Sequence, residues 1–133
     1  MTRYLLDTNI ICDVFRHAGG RVDLALRARK DEEIGTSLIV KGEILFGLEK
    51  NRNVRGLDRL KVFLQAIEVW GLEAPTEANY AQVRDERERS GVRMGADDLW
   101  VAAHAIALDA TLVSDDRAFP DVPRLSVENW LRD

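Results

Sequence analysis

Two stretches of the chain share one design: a short apolar run that ends directly on acid. Arg3-Tyr4-Leu5-Leu6 runs into Asp7, and Ala110-Thr111-Leu112-Val113-Ser114 runs into Asp115 and Asp116. Neither run alternates apolar with polar positions, which suits strands buried on both faces, as in parallel sheets. Residues 34–36, 67–69 and 125–127 are weaker candidates of the same kind. Between these runs the apolar spacing becomes helical. Ser37 is placed to cap a helix over 38–50, and Asn53 one over 54–65. Pro75-Thr76 opens a third that runs to about Ser90, where Gly91 stops it. Ala96 or Asp97 opens a fourth that reaches about Asp109. Strands alternating with helices predict a single α/β domain over 1–133, an α/β/α sandwich on a mainly parallel sheet of about five strands. Open sheets of this kind bind ligands beyond the carboxyl ends of their strands, and Asp7, Asp115 and Asp116 fall there.

Composition narrows the class without changing this picture. A length of 133 residues is one domain, and 46% hydrophobic content excludes a disordered or fibrous chain. A single cysteine, Cys12, cannot form an internal disulfide, so a reducing cytoplasm is the expected setting. Asp7 and Asn9 interrupt the first apolar stretch, so no secretory signal is expected. The run from Leu99 to Leu108 is too short to cross a membrane. The net charge of −4 argues against nucleic acid only until its distribution is considered. From Lys50 to Lys61 five basic residues stand against one acid, and from Asp97 to Asp121 six aspartates stand against one arginine. Such separation suits a cation at an acidic centre with an anion around it, or simply two solvated faces.

Two carboxylates sit where sequence pattern alone does not want them. Glu43 lies in LIVKGEILFGLEK, apolar almost all round, between the directions of Ile39, Phe46 and Gly47. A charge on a buried face is costly unless paired, and no basic residue lies one turn away. Either the helix tilts Glu43 to solvent, or it pairs elsewhere, or it serves a site. Asp97 and Asp98 open DDLWVAAHAIALD, which is apolar on all sides and so belongs at the centre of the protein. Asp97 is the expected N-cap, leaving Asp98 at the mouth of an apolar wall formed by Val101, Ala102 and Ala105. Asp115-Asp116 alone would be an ordinary turn after a strand. Convergence is the stronger argument: Asp7, Glu43, Asp98 and one of that pair can meet at one sheet edge. Carboxylates sharing a site repel one another, and a hard divalent cation removes the repulsion; oxygen ligands select Mg²⁺ or Mn²⁺.

Other site chemistries lack parts. Cys12 has no histidine at metal-binding spacing, and no nucleophile elbow, phosphate loop or dinucleotide fingerprint occurs. His104, on an apolar helix, reads as a hydrogen-bonded core residue. Trp70, Trp100 and Trp130 are too scattered for a stacking platform and read as core or interface.

The pieces LLDTNII, TSLIVKGEILFGLEK, GADDLWVAAHAIALDATLVSDDRAF and RLSVENW, in this order, resemble the PIN-domain ribonucleases. Among these they look like the VapC toxins of type II toxin–antitoxin pairs. The resemblance covers nearly the whole chain and implies a small α/β/α sandwich that hydrolyses RNA with Mg²⁺, for which Mn²⁺ substitutes. The family's metal-binding acids fall on Asp7, Glu43, Asp98 and Asp116, with Thr8, Asn9 and Ser114 in supporting places. Asp97 and Asp115 depart from the pattern, since similar proteins often carry uncharged residues there. Implied partners are structured RNA such as tRNA or rRNA, a VapB-type antitoxin that blocks the acidic site, and a second copy in a homodimer or larger toxin–antitoxin assembly. The apolar residues Val54, Leu57, Leu60, Val62, Phe63 and Leu64 are the expected surface for a second copy.

Arg52, Arg55 and Arg59 fall at three- and four-residue spacing, and Arg84 and Arg87 share a face of the next helix. They are the candidates for gripping an RNA backbone, against solvated charge with local pairs such as Arg84 to Glu88. Three rivals remain: a housekeeping PIN endonuclease without an antitoxin, a phosphoryl-transfer α/β domain, and a non-catalytic PIN-like module. A dehalogenase-type phosphatase needs a second aspartate where Asn9 stands, and a receiver domain needs a lysine that the residues after Val113 lack. A non-catalytic module would be expected to miss one of the four acids.

Overall fold

The computed structural model describes residues 1–133 as one five-stranded sheet carrying six helices. β1 (Arg3–Leu6) is its centre, because Tyr4, Leu5 and Leu6 are apolar on both faces and buried on both. The chain then runs outward through α1 (Thr8–Arg16), α2 (Arg21–Ala28), β2 (Glu33–Ser37), α3 (Leu38–Lys50), α4 (Val54–Gln65) and β3 (Glu68–Trp70). It returns through α5 (Thr76–Arg89) and α6 (Ala96–Ala107) to β4 (Thr111–Val113) on the other side of β1, and ends in β5 (Ser126–Glu128). The strand order is β3-β2-β1-β4-β5, and all four pairings are parallel.

This order reverses at β1. Successive strands go one way from it and later ones the other, so a crevice opens beyond the carboxyl ends of β1 and β4. Register fixes what stands there: Leu6 pairs with Val113, so Asp7 and Ser114 leave the sheet side by side. Asp7 still takes part in the ladder, its N–H donating to the Val113 carbonyl at 2.9 Å. On the other flank Gly35 lets Trp70 lie against β2, since a Cβ there would meet the indole at 2.6 Å.

The five strands, α3 and α4 lie where the sequence pattern puts them. α5 ends on Gly91, whose φ of +72° supplies the left-handed conformation that glycine accepts freely. α6 runs through the middle, burying Leu99, Val101, Ala102, Ala103, His104 and Ala105, and its small side chains let α5 lie close along it. Trp130 is core, packed on Tyr4 with ring centroids 5.2 Å apart, so the last residues belong to the same body. Trp70 is half-buried, and Trp100 stacks on Tyr80 at 4.0 Å.

Two helices escape the sequence reading. α1 and α2 bury Ile10, Ile11 and Val22. Each is short, and α1 follows β1 with only Asp7 between, so the apolar residues of the two elements run together. Val14 and Phe15, one turn beyond Ile10 and Ile11, are the signal that separates them.

Candidate active site

Asp7 is the residue that ends β1 and begins α1. Its backbone carbonyl accepts from Ile10 and Ile11 as the helix starts, but its side chain does not cap that helix. The carboxylate instead accepts a 2.7 Å hydrogen bond from Ser114 Oγ on the far side of the β1–β4 pair. Ser114 in turn accepts from the Asp116 N–H at 3.1 Å, so one buried hydroxyl locks both acidic turns together. Asp116 Oδ1 accepts from the Ala118 N–H at 2.9 Å, which fixes that carboxylate on its own turn. Thr8, the first residue of α1, donates to Glu43 Oε2 at 2.8 Å and so ties α3 to the same place. Asn9 Oδ1 accepts from the Asp115 N–H at 3.2 Å and holds the opposite loop.

Four elements thus present Asp7, Glu43, Asp98 and Asp116 at one edge, and charge follows from their nearness. Burial pushes the Asp7 carboxyl above its ordinary range, and the charge of Asp116 adds to this, while Ser114 and the Thr8 N–H pull it down. Burial likewise raises Glu43, and repulsion from Asp97 and Asp7 adds to this, while the hydrogen bond from Thr8 pulls it down. Asp98 is raised to about 6, first by burial and then by the charges of Asp116, Asp7 and Asp97. None of these carboxylates forms an ion pair, although nine such pairs occur elsewhere on the protein. The cluster is negative charge that no basic side chain of the protein pairs with, and its donors are hard oxygens throughout. That donor set fits Mg²⁺ or Mn²⁺. As the side chains stand, no three of them converge tightly enough to hold one ion between them. A small hard cation that binds through one or two carboxylates and keeps several waters is the kind this spacing accommodates.

The arrangement is shared with known proteins. The PIN domain family matches residues 4–125. The chain belongs to the PIN-domain family. Over 130 residues it is 33% identical to Ribonuclease VapC2 of Rickettsia felis, covering 96% of this chain and 97% of that protein. It is 29% identical to Ribonuclease VapC2 of Haemophilus influenzae, over 98% of this chain and all of the relative. The solved VapBC2 from Rickettsia felis, bound to a DNA fragment from its promoter, superposes with a TM-score of 0.92 at 31% identity, covering 97% of this chain and 99% of that one.

Several residues of this PIN domain stand elsewhere than sequence reasoning puts them. Asp97 does not cap α6. The cap is Gly95, whose backbone alone makes the turn, and Asp97 lies in the first helical turn, where its charge adds to those of Glu43 and Asp98. Asp115 is held away from the acidic cluster by Arg132, with contacts of 2.7 and 2.8 Å, and by Asn129 at 2.8 Å. The Arg132 and Asn129 bonds hold its carboxyl below the usual range. The face of α3 around Glu43 is not core: Phe46 is 68% and Leu38 48% exposed. They border an open hollow of about 380 Å³ whose polar lining is Glu43 and Asp97. Glu43 is half-buried because this apolar face is left open to solvent.

The basic residues separate into different roles. Arg52 is not on the α4 face at all; it precedes the Asn53 cap in a left-handed conformation, φ +50°. Arg55 is exposed, and Arg59 donates to the Phe15 carbonyl and covers that ring, so it secures the end of α1. Arg84 pairs with Glu88 and with the Tyr80 hydroxyl. Arg87 is buried instead of sharing a solvent face with Arg84. The expected apolar surface on α4 is also mostly used internally: Leu60 is core, Leu57, Phe63 and Leu64 are half-buried, and only Val54 and Val62 are open.

His104 belongs to the core network. Its Nε2 faces the Gly71 carbonyl at 3.0 Å, which can only accept, so Nε2 carries the proton and Nδ1 accepts from Ser37 Oγ at 2.8 Å. Ser37 simultaneously caps α3 by accepting from the Ile39 N–H at 3.1 Å. No helix of the protein is long and apolar enough to cross a membrane.

Proposed function

We propose that this PIN domain, residues 1–133, is a VapC-type toxin: an endoribonuclease that hydrolyses phosphodiester bonds of RNA in the cytoplasm and is held in check by a VapB-type antitoxin. The observation that carries the proposal is the set of Asp7, Glu43, Asp98 and Asp116, brought to one edge by four elements with no counter-charge. The relatives named Ribonuclease VapC2 and the solved VapBC2 complex support the activity and the partner. The solved VapBC2 complex supports a toxin–antitoxin assembly, and a homodimer of this chain within a larger assembly is part of the proposal.

Asp7, Glu43, Asp98 and Asp116 would hold Mg²⁺, or Mn²⁺ in its place, directly and through water. When bound, the ion supplies an activated water and offsets the negative charge that otherwise repels phosphate. The protein's own groups do the positioning. Ser114 fixes the Asp7 oxygen it bonds, and Thr8 fixes that of Glu43, so neither carboxylate is free to rotate. The Asp115 N–H bond to Asn9 and the pairing with Arg132 keep the β4 loop from collapsing onto the acids. Asp98, half-exposed on the first turn of α6, or another of the four acids would take the proton of the attacking water as its oxygen joins phosphorus and the 3′ oxygen leaves.

The test is incubation of purified, antitoxin-free protein with total cellular RNA in Mg²⁺, in Mn²⁺ and in EDTA, beside Asp98→Asn. Discrete fragments that require the metal and vanish in the variant are expected. RNA left intact in both metals overturns the reading.

A further inference from the structure

A cavity of about 460 Å³ lies between α5 and the start of α6, away from the hollow beside Glu43. Tyr80, Arg84, Arg87, Glu88, Arg93 and Gly95 bound it. Arg87 is the unusual member. Only 8% of it is exposed, its Nη2 donates to the Asp121 carbonyl at 3.0 Å, and its Nε is buried without any partner. No carboxylate pairs with it. A buried guanidinium with no counter-charge is unfavourable unless an anion completes it.

The remaining charges around the cavity do not supply that anion. Glu88 is engaged by Arg84 at 3.4 Å, and Arg84 also donates to the Tyr80 hydroxyl at 2.9 Å. Arg93 is exposed and takes part in no ion pair. Two guanidiniums therefore face the cavity unneutralised, in a protein whose net charge is −4. Met94 and Leu99 line part of the same space and give it an apolar side that suits a sugar.

The cavity also adjoins the acidic cluster. A Cβ placed on Gly95, at its edge, would lie 3.9 Å from Asp98 Oδ2. The first turn of α6 is the partition between unpaired anions on one side and unpaired cations on the other. We infer that the cavity is a phosphate subsite, in which Arg87 and Arg93 take a phosphodiester of the RNA strand next to the one that is cut. This inference rests on the ribonuclease reading. Guanidinium forks match two phosphate oxygens, and a subsite one step from the acids would set the strand's register without reading its bases.

The experiment follows the side-chain Nε–H resonances of Arg87 and Arg93 by ¹H–¹⁵N NMR in EDTA, where no cleavage occurs. The probes are the dinucleotide UpU, which carries one phosphodiester, and inorganic phosphate. A saturable shift of Arg87 is expected, at lower concentration for UpU than for inorganic phosphate. Arg93→Gln, at an exposed position, should weaken UpU about tenfold and reduce the salt dependence of binding a short RNA by about one phosphate contact. Arg87→Lys, which keeps the charge without the fork, should weaken it as well. An Arg87 resonance indifferent to both probes overturns the inference, and so does a response to inorganic phosphate without one to UpU. The two readings fail separately. RNA cleaved by a protein whose Arg87 stays silent removes the subsite alone. UpU bound at Arg87 by a protein that leaves RNA intact removes the hydrolysis and keeps the subsite.

Discussion

Asp98 shows what the acidic site costs the fold without a cation. Its carboxyl is raised to about 6 from an ordinary 3.8, first by burial and then by three neighbouring charges. The folded state therefore holds this proton more tightly than the unfolded chain does. Stability from this group is present at low pH and declines as pH rises from about 4 through about 6. A shift of that size corresponds to at most about 3 kcal/mol, and partial exposure to solvent reduces it to about 1 kcal/mol. In EDTA, Asp98→Asn should melt about 3–5 °C above the natural protein at pH 7.5 and within about 1 °C of it at pH 4.5. Scanning calorimetry at the two pH values checks this, and an equal gap at both would show that Asp98 carries no such repulsion. Mg²⁺ should raise the melting temperature of the natural protein more than that of the variant. Asp7 and Asp98 were readable from sequence because each stands at a place the element pattern defines, a strand end and a helix start. Asp115 and Asp116 were not separable that way. Their difference comes from Asn129 and Arg132, just past the carboxyl end of β5, which take Asp115 out of the cluster.

At the scale of elements, the central place of α6 is legible in sequence, because a helix apolar on all sides has only one place to go. The same property makes His104 informative. It joins α6 to the cap of α3 through Ser37 and to the end of β3 through Gly71, so it sets where α3 begins and, about a turn and a half on, where Glu43 stands. Burial holds the His104 imidazole below its ordinary range, partly offset by the bond to Gly71. The neutral form is the folded form, so its contribution is present at neutral pH and is lost as pH falls below about 6.5, the reverse of Asp98. His104→Leu leaves the Gly71 carbonyl and the Ser37 hydroxyl each short of a partner, a cost of about 2 kcal/mol. Urea unfolding should place the variant that far below the natural protein at pH 7.5 and closer to it at pH 5.5. A constant difference across that range would assign the loss to packing instead. α1 and α2 were the elements least readable in advance. Their apolar residues are few, and α1 has no polar break from β1 except the catalytic candidate itself. An acid placed for a site is in that position a poor marker of a helix end.

For the molecule as a whole, the functional edge is divided among three surfaces with different chemistry. The carboxylates lie beyond β1 and β4, the unpaired arginines lie behind the first turn of α6, and the apolar residues Leu38 and Phe46 lie on the α3 side. An RNA strand uses the first two. It has little to gain from a phenyl ring that is 68% exposed next to two acids. A peptide with an apolar residue to cover Phe46 and a cation to reach Glu43 or Asp97 matches the third surface, and the antitoxin proposed above is the partner that needs such a match. In the sequence Glu43 is anomalous because the face around it is apolar. In the fold that face is open, so Glu43 stands at the edge of a hollow that a partner's cation can reach. Removing the ring should then cost the complex more than the enzyme. Full burial of a phenylalanine contributes about 1.5–3 kcal/mol, so Phe46→Ser should raise the Kd for the antitoxin by at least about tenfold. Calorimetric titration of the protein with a VapB-type antitoxin measures this, and cleavage of total RNA by the free variant is the control. A weakened complex with undiminished cleavage places the antitoxin on α3. An unchanged Kd would move its docking surface elsewhere and leave Phe46 without an antitoxin contact.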